Sequence, residues 1–165
     1  MRLAKVVPLL TALAIAPFST PGFTQDDYRL TVGAGVFDPL GSGTTGMIAL
    51  TLEGEPIEAA WDIRPTLLGF TIEQSGYYVG MGGHREFEID DDWRWGVATG
   101  LGYYHEGSED NELGYDLEFF TRLSLSYQLT NKQLIRGEFG HISNAGLGDS
   151  NPGAETVTLS WVTPF

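Results

Sequence analysis

The run LEFFTRLSLSY, Leu117 to Tyr127, decides the fold class. Leu117, Phe119, Leu123, Leu125 and Tyr127 fall on odd positions, with Thr121 the exception. Asp116, Glu118, Arg122, Ser124, Ser126 and Gln128 fall on even ones. Successive side chains of an extended chain point to opposite faces of a sheet. The segment is therefore a strand with one apolar face and one charged or hydroxylic face.

The pattern recurs along the chain. In WRWGVATGLGYY (93–104), Trp93, Trp95, Val97, Leu101 and Tyr103 oppose Arg94 and a row of small residues. YRLTVGAGVF (28–37) and TVTLSWVTPF (156–165) alternate in the same way. Eight strands are expected near 28–37, 45–53, 57–72, 75–89, 92–105, 113–129, 132–144 and 154–165. Pro65 and the glycines of GMGG (80–83) blur the third and fourth. No helix of useful length, internal repeat or linker stands out, so the chain after its leader, 25–165, reads as one domain.

Alternation alone does not say which face is inside. A water-soluble barrel buries its oily face, whereas an outer-membrane barrel turns that face to lipid and keeps a polar interior. Three features favour the membrane arrangement. The polar face carries opposite charges able to pair in a narrow lumen: Arg29, Asp62, Arg64, Glu86, Arg94, Glu118, Arg122, Arg136 and Glu138. Aromatic residues gather toward strand ends, at Tyr77–Tyr78, Trp93–Trp95, Tyr103–Tyr104 and Trp161, as interfacial girdles require. The terminal Phe165 closes an amphipathic strand and resembles the sorting signal of bacterial outer-membrane barrels. The expected fold is an all-β, eight-stranded antiparallel transmembrane β-barrel of the cell outer membrane. A lumen of that size is filled by side chains, which argues against a pore.

The N-terminus suits export. MRLAKVVPLLTALAIAPFSTPGFTQ has basic Arg2 and Lys5, an apolar run from Val6 to Pro17, then small and polar residues. Residues 1–24 are read as a signal peptide, its apolar core too short to span a bilayer as a helix. Losing Arg2 and Lys5 takes the formal net charge from -13 by two further units to about -15. So acidic a protein, with seven Lys or Arg left, is a poor partner for nucleic acid or for anionic lipid by charge alone. There is no cysteine, so packing and hydrogen bonds must hold the fold.

With the termini in the periplasm, the connections DPLGSGTT, IEQSG, HEGSEDNELG and NAGLGDSNPG face outward. LEGEP, DDDW and LTNKQ face the periplasm and are short throughout, the usual asymmetry of such barrels.

Three groups stand out on the oily face. In KQLIRGEFGHISN, Arg136 and Glu138 share the lumenal parity, whereas His141 and Ser143 share that of Ile135 and Phe139. Glu155 shares the face of Val157, Leu159 and Trp161 on the next strand, and the intervening loop returns it to the level of His141. A hydroxyl, an imidazole and a carboxylate in one place suit nucleophilic acyl transfer, with serine attacking, histidine taking its proton and the acid orienting the ring. Backbone N–H groups in the following turn, or the amide of Asn144, would serve an oxyanion. The alternative is that all three are ordinary interfacial residues, and spacing does not separate the readings. His84 is expected in lumenal pairing and His105 in a solvated acidic loop. Neither pairs with a second His or Cys in a ligand pattern, so no metal is expected. Arg85, on the apolar face, suits either a lipid headgroup or a snorkelling position.

The stretch HISNAGLGDSNPGAETVTL (141–159) resembles the PagL family of outer-membrane lipid A 3-O-deacylases. The likeness lies in an H-x-S-N-A-G run, a polar Asn-Pro-Gly loop, and an acid twelve residues after Ser143. It is close over about 25 residues, and the earlier strands depart widely. The resemblance implies an ester hydrolase that removes the 3-position hydroxyacyl chain from the lipid A of lipopolysaccharide. It implies Ser143 as nucleophile, His141 as base, Glu155 as acid, Asn144 and Gly146 at the oxyanion, and no cofactor. A non-enzymatic structural or adhesin barrel and an outer-membrane phospholipase or acyltransferase remain alternatives, and homodimerisation is left open.

Overall fold

The computed structural model describes residues 28–41, 43–129 and 132–165, so the expected leader lies outside the described residues. Eight strands follow one another: β1 (Arg29–Phe37), β2 (Thr45–Glu53), β3 (Arg64–Ile72), β4 (Tyr77–Glu88), β5 (Trp93–His105), β6 (Leu117–Gln128), β7 (Leu134–Ser143) and β8 (Ala154–Pro164). Each pairs antiparallel with its sequence neighbours, and β8 returns to β1 to close the barrel. Closure leaves no free sheet edge, which a spanning sheet in hydrocarbon requires.

Two boundaries differ from the sequence expectation. β3 starts at Arg64 rather than 57, because 57–63 folds as a turn closed by an Ile57–Ile63 bridge. Trp61 and Asp62 there have φ of 56° and 59°, values no strand accommodates. Asp62 is therefore an exposed turn residue and takes no part in lumenal pairing. The connection 54–63 is consequently as long as 144–153, so the expected contrast between long and short loops is weaker than the sequence suggests. β6 starts at Leu117, leaving 113–116 in the preceding loop with Leu113 tucked into the core.

The oily face is outside. Val32, Ile48, Leu50, Leu67, Val79, Met81, Leu101, Leu123, Leu125 and Leu159 form an exposed apolar band around the wall. Aromatic pairs flank it. Trp93–Tyr127 (centroids 4.9 Å apart) and Phe87–Trp95 (4.4 Å) lie toward the rim that holds the chain termini. Tyr77–Tyr103 (6.1 Å) lies toward the far rim. The guanidinium of Arg85 sits 4.7 Å over the Phe87 ring near the terminal rim, the snorkelling position.

The lumen is packed in two layers. Toward the far rim, Phe37 stacks on Tyr104 and Phe70 on Tyr78, with Phe120, Ile142 and Leu113 completing an apolar plug. Toward the termini lies a charged layer. Arg136 pairs with Glu53 and Glu86, Arg29 with Glu86, and His84 Nδ1 with Glu53 Oε1 at 3.0 Å. Arg122 pairs with Glu138 at 3.2 Å between the two layers. Desolvated charges persist where each meets an opposite one and a hydrogen bond.

Leu159 is 65% exposed, halfway along β8, with Ala34 and Gly137 as register partners. Leu159→Arg is expected to cost roughly 2–4 kcal/mol of folding free energy in bilayers, the depth-dependent cost of a charge on a lipid face. Urea titration of the folded band by gel mobility measures it. An unchanged midpoint would mean that this face does not meet hydrocarbon.

Candidate active site

The last turn of β7 and the first of β8 carry the candidate residues at the far rim. Around them Gly140, Ile142, Ala154 and Thr156 point inward and are buried. His141, Ser143 and Glu155 consequently face outward, the first exposed and the other two half-buried. β7 and β8 are in register with His141 opposite Glu155, so the two side chains stand side by side on the outer wall. His141 Nδ1 lies 3.3 Å from Glu155 Oε1. With the acid on Nδ1, Nε2 is the ring nitrogen left for a nucleophile.

Ser143 is two residues from His141 on the same face, about 7 Å along the strand. Among the described residues no hydrogen bond joins Ser143 to His141. Nucleophile–base contacts are commonly long before substrate binds and tighten in the reacting complex. The structure thus brings Glu155 and His141 together, and leaves Ser143 adjacent.

The turn after Ser143 is tightly organised. Asn144 is fully buried, and its Nδ2 donates to the carbonyls of Leu113 (2.9 Å) and Ser150 (2.8 Å). Its Oδ1 accepts from Gly146 N–H at 2.9 Å, and its own N–H donates to Asn151 Oδ1 at 3.1 Å. The two groups expected at the oxyanion, the Asn144 amide and Gly146, spend these hydrogens on partners in this loop and in the 106–116 loop.

Two neighbours escaped the sequence reading. Thr121, the one break in the apolar face of β6, is the register partner of His141 and places a hydroxyl beside the imidazole. Its departure from alternation was the available signal. Gly153 has φ of 65°, and a Cβ there would come 2.8 Å from His141 Cε1, so the imidazole rests against a residue that must lack a side chain. The remaining histidines lie elsewhere: His84 in the lumenal charged layer, as expected, and His105 exposed beside Tyr77.

Between the loops of this rim a cavity of about 360 Å³ is lined by Asp38, Asp110, Glu112, Pro152 and Glu155, among others.

The structure is a closed barrel of the outer-membrane type with a histidine–carboxylate pair and a serine on its oily exterior. The family profile described as lipid A 3-O-deacylase (PagL) matches residues 50–164, and the chain belongs to that family. No curated protein sequence matches it. Among solved structures, the outer membrane enzyme PagL is similar with a TM-score of 0.61 at 21% identity, covering 83% of this chain and 99% of that one. Neisserial surface protein A is similar with a TM-score of 0.64 at 12% identity, covering 84% and 97%. A designed transmembrane β-barrel is similar with a TM-score of 0.61 at 10% identity, covering 87% and 98%. At these identities the likenesses establish the barrel fold.

Proposed function

We propose that this protein removes the 3-position hydroxyacyl chain of lipid A, using Ser143 as nucleophile, His141 as base and Glu155 as orienting acid. The observation that carries the reading is the His141–Glu155 pair, 3.3 Å apart on the lipid-facing wall and two residues from a serine. Lipid A occupies the outer leaflet, so its ester reaches such a site laterally without entering the barrel. The eight strands each cross the outer membrane, with both termini in the periplasm and the far rim outside. All three groups come from one chain, so a second copy is not needed to complete the site.

The chemistry follows from the roles. Ser143 Oγ attacks the acyl carbonyl carbon while His141 Nε2 takes its proton, and Glu155 steadies the imidazolium through Nδ1. The turn from Asn144 to Gly146 flanks the nucleophile and supplies the oxyanion site. When the intermediate collapses, the bond from the carbonyl carbon to the sugar oxygen breaks, and His141 returns the proton to that oxygen. Water, deprotonated by His141, then attacks the acyl carbon, the bond to Ser143 Oγ breaks as His141 returns the proton to that oxygen, and the hydroxy fatty acid leaves.

Expression in a Gram-negative host with mass spectrometry of its lipid A tests the proposal. The expected product lacks one hydroxyacyl chain. Unchanged lipid A beside folded, membrane-inserted protein would overturn the reading, and hydrolysis confined to glycerophospholipid would replace it with a phospholipase. Glu155→Ala is expected to retain at least about 10-fold more turnover than a variant lacking the nucleophile, because losing the orienting acid costs less than losing either reacting group. Full activity in Glu155→Ala would remove that residue from the mechanism.

A further inference from the structure

Among the described residues, Arg85 is the one cation on the outward face of a strand. Arg29, Arg64, Arg94, Arg122 and Arg136 share the lumenal parity of their strands, and Lys132 lies in a turn. Arg85 instead shares the parity of Val79 and Met81, exposed members of the apolar band. No hydrogen bond or ion pair joins its guanidinium to another described residue, and the group lies 4.7 Å over the Phe87 ring. A cation on a lipid-facing wall is costly unless it reaches polar groups, and a guanidinium has five N–H donors to satisfy.

The surroundings fix where those donors point. Phe87 stacks on Trp95 with centroids 4.4 Å apart, so the ring under the guanidinium is itself held. Cation–π contact occupies a face of the guanidinium and leaves its N–H edge free. The other bank is the turn 57–63. Arg64 is the register partner of His84, so Ile63, one residue earlier, falls beside Arg85. Ile63 also packs on Gly83, where an added Cβ would come 2.6 Å from its Cγ2, and this contact keeps the turn on the wall. At the tip Trp61 is 73% exposed with a left-handed φ of 56°, a conformation that costs a bulky residue free energy. The indole N–H of the exposed Trp95 has no acceptor among the described residues. Rings with an apolar body and a polar tip suit a membrane interface.

We propose that Arg85, between the Phe87–Trp95 stack and the turn 57–63, seats one glycerophospholipid of the periplasmic leaflet, with the guanidinium on its phosphodiester. A phosphodiester supplies two oxygens that a guanidinium edge bonds in parallel. The chain as a whole is acidic, with a formal net charge of -13, so Arg85 is the place on the outer wall that attracts an anion rather than repelling it. The acyl chains lie toward Met81 and Val79, where the same face continues as exposed apolar surface, which favours a lipid over free phosphate. The proposal rests on the orientation with the termini in the periplasm and not on the chemistry at Ser143.

The test uses the folded barrel carrying Ser143→Ala in octyl glucoside, mixed with dihexanoyl phosphatidylglycerol, with bound lipid counted by native mass spectrometry. One lipid is expected to bind about 10-fold or more tighter than to the same barrel with Arg85→Gln, the scale of a hydrogen bond to a charged group. Arg85→Lys should fall between them, since an ammonium keeps the charge and loses the planar fork. Equal binding with and without Arg85→Gln would overturn the proposal. So would equal binding of dihexanoyl glycerol, which has the chains and no phosphate, a comparison that needs no variant at Arg85. Displacement of the lipid by equimolar inorganic phosphate would reveal a simple anion site and overturn it too. Because the nucleophile is absent throughout, failure of the wild type to deacylate lipid A leaves this result standing, and failure of the Arg85 effect leaves deacylation standing.

Discussion

Ser143→Ala is expected to lower lipid A deacylation by at least about 10³-fold, and His141→Ala by a similar factor. In the proposed mechanism the serine oxygen forms the acyl intermediate and the imidazole is the base that takes its proton. The barrel should survive both changes. Ser143 ends its strand half-buried, and no hydrogen bond of its side chain holds the fold among the described residues. His141 is exposed on the outer wall, where its polar neighbours are Glu155 and Thr121. Folded barrel with unaltered gel mobility and silent lipid A is the expected pair of readouts. The double variant should be no slower than either single one, because groups that act on one step as a unit lose their effect together. Two independent, multiplying losses would mean that serine and histidine do not share a proton. Retained activity in Ser143→Ala would leave the His141–Glu155 pair without its nucleophile and end the serine-hydrolase mechanism.

The alternation that reveals such a barrel is legible because a strand has a period of two and the solvent outside is lipid. The phase of that alternation made His141, Ser143 and Glu155 visible as polar groups on an apolar face, and the structure puts all three there. What parity does not carry is register. Thr121 reads as a blemish in LEFFTRLSLSY until β6 and β7 are aligned, when it stands beside His141. Glu53 is the clearest omission. The last residue of the second strand both as expected and as observed, and absent from the expected lumenal charges, it points inward and joins Arg136, His84 and Arg29. Asp62 errs the other way, since a turn at 57–63 takes it out of the lumen. Parity is reset at every connection, so an error of a residue in a strand end reverses what a charge faces. The clamp of Asn144 is illegible for a different reason: two of its partners are carbonyls, which every residue has, and one lies in another loop.

The lumenal layer predicts the largest effect on stability. Arg136 is almost wholly buried, and each part of its guanidinium is engaged: Nε donates to Ser126 Oγ at 3.1 Å, Nη1 to Glu53 and Nη2 to Glu86 at 3.0 Å. Arg136→Met removes the cation and keeps comparable bulk, leaving the carboxylates of Glu53 and Glu86 in the lumen without it. Breaking a buried pair by deleting one partner typically costs about 3–5 kcal/mol, mostly the cost of stranding the remaining charge. Glu86 retains Arg29, and Glu53 retains His84, so the loss should fall toward the lower part of that range. Arg136→Lys should recover only part of it, because a single ammonium does not reach three partners in a plane. The discriminating comparison is the double variant Arg136→Met with Glu53→Gln, measured by urea unfolding in detergent or bilayers. If stranded charge is the cause, the double variant is more stable than Arg136→Met alone. If the two losses simply add, the guanidinium acts by packing, and the charged layer is incidental to the barrel's stability. Catalysis gives an independent check. The layer lies toward the termini, beneath the apolar plug, so the variant that folds should deacylate lipid A as the wild type does.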